Sequence, residues 1–191
     1  MTRKYELKKR AERQEETRRR IVEAAIQLHR TKGPARTTFS DIAALAGVQR
    51  HTLYRYFPDE RAMGLACSGL HFELNPPPDP AAWEAIADPA ERLRVGLEAL
   101  YAWYERNEDM FTCVLRDAEV HELTREMFEL RSSEAMGAIY GVLGECIPSS
   151  ARAAAAFALA LDFRTWQSLT RSGLSREDAA ETMVAAVLAQ Q

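Results

Sequence analysis

The chain has 191 residues, 47% hydrophobic and 28% charged, enough for one large or two small domains with a substantial core. No apolar run reaches the ~20 residues of a membrane span, and the charged N-terminus lacks the apolar segment of a signal peptide, so a cytoplasmic protein is expected. The net charge of −3 argues against a nucleic-acid partner, yet residues 1–61 hold 15 Lys and Arg against 8 Asp and Glu, a net of +7, and residues 62–191 hold 10 against 20, a net of −10. A basic front on an acidic back is the asymmetry of a nucleic-acid-binding head on a body that repels it.

Met1 to Arg20 carries nine basic and four acidic residues and no Gly or Pro, so it can extend the first helix backward. Two readings stand: a frayed, solvated arm, or an arm that reaches phosphates or an adjacent minor groove. Ile21, Ala24, Ala25 and Leu28 then form an apolar helical stripe that stops at Lys32-Gly33-Pro34. Thr37 to Phe57 reads as two short helices and a tight turn. Thr38, three residues before Asp41, gives a capping-box-like start. Ile42, Ala43, Leu45 and Ala46 are the apolar positions of the first helix, and the second runs from about Gln49 to Phe57. Ala43 is the small residue that two steeply crossing helices need, Gly47 tolerates the positive φ of the turn, and Leu53 anchors the second helix inward. This is the pattern of a DNA-binding helix-turn-helix. The residues left facing outward are Gln49, Arg50, His51, Thr52, Tyr54 and Arg55. Arg and Gln can bond base edges in bidentate fashion, and Thr and Tyr hydroxyls suit phosphates.

Ile21 to Gly33, TTFSDIAALAGV and TLYRYFPD together resemble the DNA-binding domain of the TetR family of bacterial transcriptional regulators. The resemblance spans about Ile21 to Leu65, with TLYRYF its most specific part. It implies an all-α fold of about nine helices: an N-terminal three-helix helix-turn-helix head over residues 1–61, and a helical-bundle ligand-binding and dimerisation body over residues 62–191. It places DNA contacts at Thr38, Gln49, Arg50, His51, Thr52, Tyr54 and Tyr56, to which the outward face adds Arg55. Where the family often has a phosphate-contacting Lys, at the start of the fourth helix, this chain has Glu60 followed by Arg61.

Pro58-Asp59 ends the recognition helix, and Asp59 can cap the next, Glu60 to about Leu74. Asn75 to Pro80 is a stiff proline-rich loop, and Ala81 to Ala87 reads as a short helix. Asp88-Pro89-Ala90-Glu91 starts a helix to about Arg106, with Leu93, Leu97, Leu100 and Tyr104 on one face. Asn107 is the expected cap of a helix over Glu108–Ala118, and a long helix follows over about Val120–Cys146. After Pro148, one apolar helix is expected over Ala151–Ser172. Ser175 and Asp178 cap a last helix, to about Gln190. Two such apolar helices suit either a monomeric core or a dimer interface of four helices from two chains, with Phe163, Leu169, Met183, Val184 and Val187 as interface candidates.

The aromatic residues of the body are read as core or as a pocket. The resemblance favours a pocket, because the family's bodies commonly hold an inducer between helices; Tyr101, Tyr104, Phe111, Phe128, Tyr140 and Trp166 are its candidates. Glu98, Arg116, Asp162, Arg164 and Gln167 are candidate polar groups, and an apolar or aromatic small molecule is the expected effector. Cys67, Cys113 and Cys146 read as buried free thiols, and the histidines form no ligand cluster, so no metal or cofactor is expected. The absence of a nucleophile elbow, a phosphate loop or paired carboxylates argues against an enzyme. The resemblance implies a homodimeric repressor on a palindromic double-stranded operator, with half-sites about one turn (~34–36 Å) or more apart. Ligand would release it by favouring a body shape whose heads no longer match that spacing. The rival reading is a helical interaction protein without ligand-regulated DNA binding.

Overall fold

The computed structural model describes residues 2–190, whose regular elements are ten α-helices and two 3-10 turns. They are α1 (Thr2–Thr31), α2 (Phe39–Leu45), α3 (Arg50–Tyr56), α4 (Glu60–Leu74), α5 (Pro89–Arg106), α6 (Glu108–Ala118), α7 (Glu122–Gly144), α8 (Ala151–Ala160), α9 (Phe163–Arg171) and α10 (Arg176–Leu188). The 3-10 turns are Pro34–Arg36 and Pro80–Trp83.

There are ten helices rather than about nine because the stretch expected as one helix over Ala151–Ser172 is two. Asp162 divides it. Its backbone is extended and its carboxylate accepts the Thr165 N–H at 2.7 Å, so it ends α8 and caps α9. Asn107 also differs from expectation. Its side chain turns back, donating from Nδ2 to the Trp103 carbonyl at 2.9 Å, and so closes α5 instead of opening α6. The short helix expected over Ala81–Ala87 is the turn Pro80–Trp83, started by Asp79, whose side chain accepts the Ala81 N–H.

The helices gather into two compact units. The first comprises the chain up to Leu74 together with Asp109–Arg131; the second comprises Asn75–Glu108 and Ser132–Gln191. The boundary therefore differs from a single cut at residue 61. In the first unit Arg61 of α4 pairs in bidentate fashion with Glu126 of α7, Arg131 Nε donates to Ser68 Oγ at 3.2 Å, and the Cys113 thiol of α6 reaches the Arg30 carbonyl at 3.4 Å. The core of this unit includes Ile21, Ala25, Ile42, Leu53, Phe57 and Met63.

The second unit buries Leu93, Leu97, Leu100 and Tyr101 of α5, Ile139 and Leu143 of α7, Phe157 of α8, and Ala179 and Val187 of α10. Gly96 lets α5 and α7 approach: a Cβ there would lie 2.5 Å from a Leu143 methyl. The phenols of Tyr101 and Tyr104 donate to the carbonyls of Ala160 (2.8 Å) and Leu161 (2.6 Å), satisfying the end of α8.

Candidate DNA-binding face and effector cavity

α2 is pinned at its start by a full capping box. Asp41 N donates to Thr38 Oγ1 at 3.1 Å, and Thr38 N donates back to Asp41 Oδ2 at 2.9 Å. Lys32 also pairs with Asp41, and this bond with the two Thr38 donors holds the carboxyl at about 2. Thr38 is thus committed to the cap: its hydroxyl also donates to Asp41 Oδ2 at 2.8 Å. Gly47, at φ 63°, makes the turn, and Val48 N closes it on the Ala43 carbonyl at 3.0 Å. In α3, Leu53 is fully buried and its neighbours are not: Gln49, Arg50, His51, Tyr54 and Arg55 are exposed, and Thr52 and Tyr56 partly so. Arg50 lies over the Tyr54 ring, 5.6 Å from its centroid, with Nη2 donating to the phenol at 3.3 Å; Arg55 lies over Tyr56 at 5.4 Å. Stacking holds the two guanidinium groups against the helix while leaving most of their donors in water. The face presents cations, hydroxyls and an amide and no carboxylate, as a surface facing a polyanion requires.

Behind α2 the first unit forms a partly open cavity of about 140 Å³. Its walls come from α1 (Ile26, His29), the turn before α2, α2 itself (Phe39, Ile42), α4 (Met63, Cys67), α6 (Phe111, Val114) and the start of α7 (Thr124, Phe128). His29, His71 and His121, from three separate segments, all line it. Desolvation lowers the His29 imidazole to about 4 against the opposing pull of Asp117, and lowers His71 as well, so both are neutral at pH 7. Burial raises the Cys67 thiol to about 12, leaving it protonated.

The sequence profile of the bacterial regulatory proteins of the TetR family matches residues 21–67, from Ile21 of α1 through the helix-turn-helix into α4. Residues 21–67 are thus a TetR-type helix-turn-helix segment. That family consists of DNA-binding regulators rather than enzymes. No curated protein matches the chain significantly in sequence. Solved structures share its fold at low identity. A TetR-like regulator from Rhodococcus sp. RHA1 is 19% identical with a TM-score of 0.62, covering 92% of this chain and 97% of its own. A TetR-family protein from Mesorhizobium loti is 19% identical with a TM-score of 0.66, covering 93% and 97%. FadR from Bacillus subtilis, solved in complex with stearoyl-CoA, is 15% identical with a TM-score of 0.62, covering 90% and 98%.

Of the six aromatic residues expected in a pocket, Phe111 and Phe128 line the cavity, meeting edge to face at 6.2 Å. Tyr101, Tyr104 and Trp166 are buried in the second unit, where Tyr104 packs on Trp166 and on Phe163; Tyr140 is 48% exposed, with its ring against Phe157. The polar candidates are engaged elsewhere: Asp162 caps α9, Glu98 pairs with Arg94, Gln167 reaches Glu108, and Arg116 bonds Asp117 and the Lys32 carbonyl. Among the interface candidates, Phe163, Met183 and Val187 are buried within one chain, because their stripe faces the unit's own core; Leu169 and Val184 are partly exposed. An exposed apolar residue the periodicity did not single out is Leu159, at 57%. No helix among the described residues is long and apolar enough to cross a membrane.

The cavity histidines set a pH dependence. Below its unperturbed pKa of 6.5 His29 takes up a proton in the unfolded chain, but in the folded chain it does so only near 4. Stability is therefore complete above pH 6.5 and falls as pH drops from 6.5 toward 4, with His71 adding in the same direction, by up to about 3 kcal/mol for His29. Urea titrations at pH 7.5 and 5.0 should show the loss, and His29→Gln should remove most of it. An equal loss in that variant would assign the slope to other groups.

Proposed function

We propose that the regulator is a cytoplasmic, homodimeric repressor without enzymatic activity, which grips a palindromic duplex with two copies of α3 and lets go when a small apolar or aromatic effector binds. The observation that carries this is the α3 face: Gln49, Arg50, His51, Thr52, Tyr54, Arg55 and Tyr56 stand around a fully buried Leu53 with no carboxylate among them. In this reading residues 1–61 carry the DNA contacts, and residues 62–191 carry regulation and dimerisation. α8 and α10, which pack together in the second unit, are suited to meet their copies through Ala155, Ala158 and Leu159 on the exposed side of α8 and Val184 on α10. The stearoyl-CoA held by the Bacillus subtilis neighbour supports a small-molecule effector as a class.

Selection of bound duplexes from a random pool, followed by salt titration on the selected sequence, tests the reading. A palindrome with a steep salt slope is expected; no enrichment would return the chain to the rival reading of a helical interaction protein. Arg50→Ala should then cost about 1–3 kcal/mol and relax preference at one base pair in each half-site, the signature of a base-edge contact. A uniform loss across all sequences would reassign Arg50 to the phosphates.

A further inference from the structure

The cavity behind α2 has a size, a lining and a position that together specify an occupant. An apolar cavity of about 150 Å³ holds one benzene ring, and this one is about 140 Å³. Phe39, Phe111 and Phe128 give it aromatic walls, and no lysine or arginine stands among the described residues that line it, whereas Glu60 does. An anionic group would enter without a counter-charge and beside a carboxylate. The polar chemistry on offer is that of neutral imidazoles and hydroxyls.

His29 is the most specific of these groups. The protonated Cys67 thiol donates to the Gly64 carbonyl at 3.5 Å, so its sulfur is left to accept from His29 Nδ1, 3.6 Å away. The assignment that uses both contacts puts the His29 proton on Nδ1 and leaves Nε2 as an acceptor, to which no described residue donates. The wall of the cavity also reaches the recognition helix in one step, since the Phe39 ring lies 5.1 Å from that of Tyr54.

We propose that this cavity is an effector site for a neutral, single-ring aromatic molecule with a hydrogen-bond donor, a phenol in the simplest case, whose O–H donates to His29 Nε2. Occupation acts on α3 through Phe39, within the DNA-binding unit itself. The proposal rests on the reading of the chain as an operator-binding regulator.

Calorimetric titration of the full chain with 4-methylphenol, toluene and benzoate tests it. One neutral hydrogen bond predicts that 4-methylphenol binds about tenfold more tightly than toluene, with benzoate weaker than both. His29→Leu should erase that preference while still binding toluene, which shows that the cavity has survived. Val114→Phe, which fills the cavity, should exclude both. On the selected operator, saturating 4-methylphenol should weaken binding at least about fivefold. Equal affinity for 4-methylphenol and toluene, or a preference that persists in His29→Leu, would overturn the donor assignment. Operator binding that is intact and indifferent to 4-methylphenol would overturn the regulatory site alone. Failure of the unliganded chain to bind any duplex would overturn the underlying reading instead.

Discussion

Replacing Gly33 by alanine should destabilise the first unit by about 3–5 kcal/mol, the largest effect expected from any single methyl group in this chain. Two costs add. Gly33 sits at φ 96° and ψ 152°, a region that residues with a Cβ avoid at a cost of about 1–3 kcal/mol. A Cβ there would also lie 2.3 Å from both Arg116 Nη2 and Asp117 Oδ2. The Arg116 tip can swing away, but Asp117 cannot do so freely. Its side chain is 4% exposed, and its Oδ2 accepts the Ala35 N–H at 2.9 Å. Moving it breaks a hydrogen bond to a charged acceptor, worth about 1.5–3 kcal/mol.

Asp117 therefore works as a latch: the end of α6 holds the turn that feeds the helix-turn-helix. Urea unfolding reads the cost as a lower midpoint at unchanged slope. Gly47→Ala is the control, because Gly47 also has positive φ (63°) but no described atom lies within 4 Å of the added Cβ. It should cost only the backbone part, about 1–2 kcal/mol. Equal losses at the two glycines would mean that the latch contributes nothing.

Much of the fold was legible because its boundaries are marked by local chemistry. Asp88 before Pro89, and Asp59 whose carboxylate accepts the Ala62 N–H at 2.7 Å, set the starts of α5 and α4 where the sequence placed them. Thr38 and Asp41 form the expected capping box, and Gly47 the expected turn. The division of α8 from α9 was not legible. Asp162 lies in an apolar run without Gly or Pro, and whether a lone Asp caps a helix or sits on its face depends on tertiary packing. Periodicity likewise shows that Phe163, Met183 and Val187 lie on an apolar stripe but not which apolar partner the stripe meets; that partner is the chain's own core.

The cavity was half legible. Phe111 and Phe128 were singled out, yet aromatic identity alone also pointed to Tyr101, Tyr104 and Trp166, which pack in the second unit. His29, His71 and His121 share no sequence spacing. Only the approach of α1, α4 and the turn before α7 brings them to one cavity.

Deleting residues 1–12 should lower affinity for every duplex by a few hundredfold at 0.1 M salt and flatten the salt slope by about 3, if three of the five cations removed touch phosphates. The structure sharpens the two readings of this segment. α1 begins at Thr2, and Ile21 is the first of its described side chains to be buried, so residues 2–20 form a helix about 28 Å long ahead of that core residue. Residues 8–16 are all exposed. Lys8 pairs with Glu12 at 3.9 Å and Arg18 with Glu15 at 3.6 Å. Exposed pairs of this kind are worth little, so the cations can be handed to phosphates at small cost. The deletion leaves Ile21, Val22, Ala24 and Ala25 in place, so the head retains its core. Titration of the truncated chain against the selected duplex and a random one separates the outcomes. Equal losses on both identify a phosphate grip, and a larger loss on the selected duplex, traced to flanking A·T pairs, identifies a helix or arm entering the minor groove. An unchanged slope would leave the segment a solvated extension and put all of the electrostatic affinity on the head.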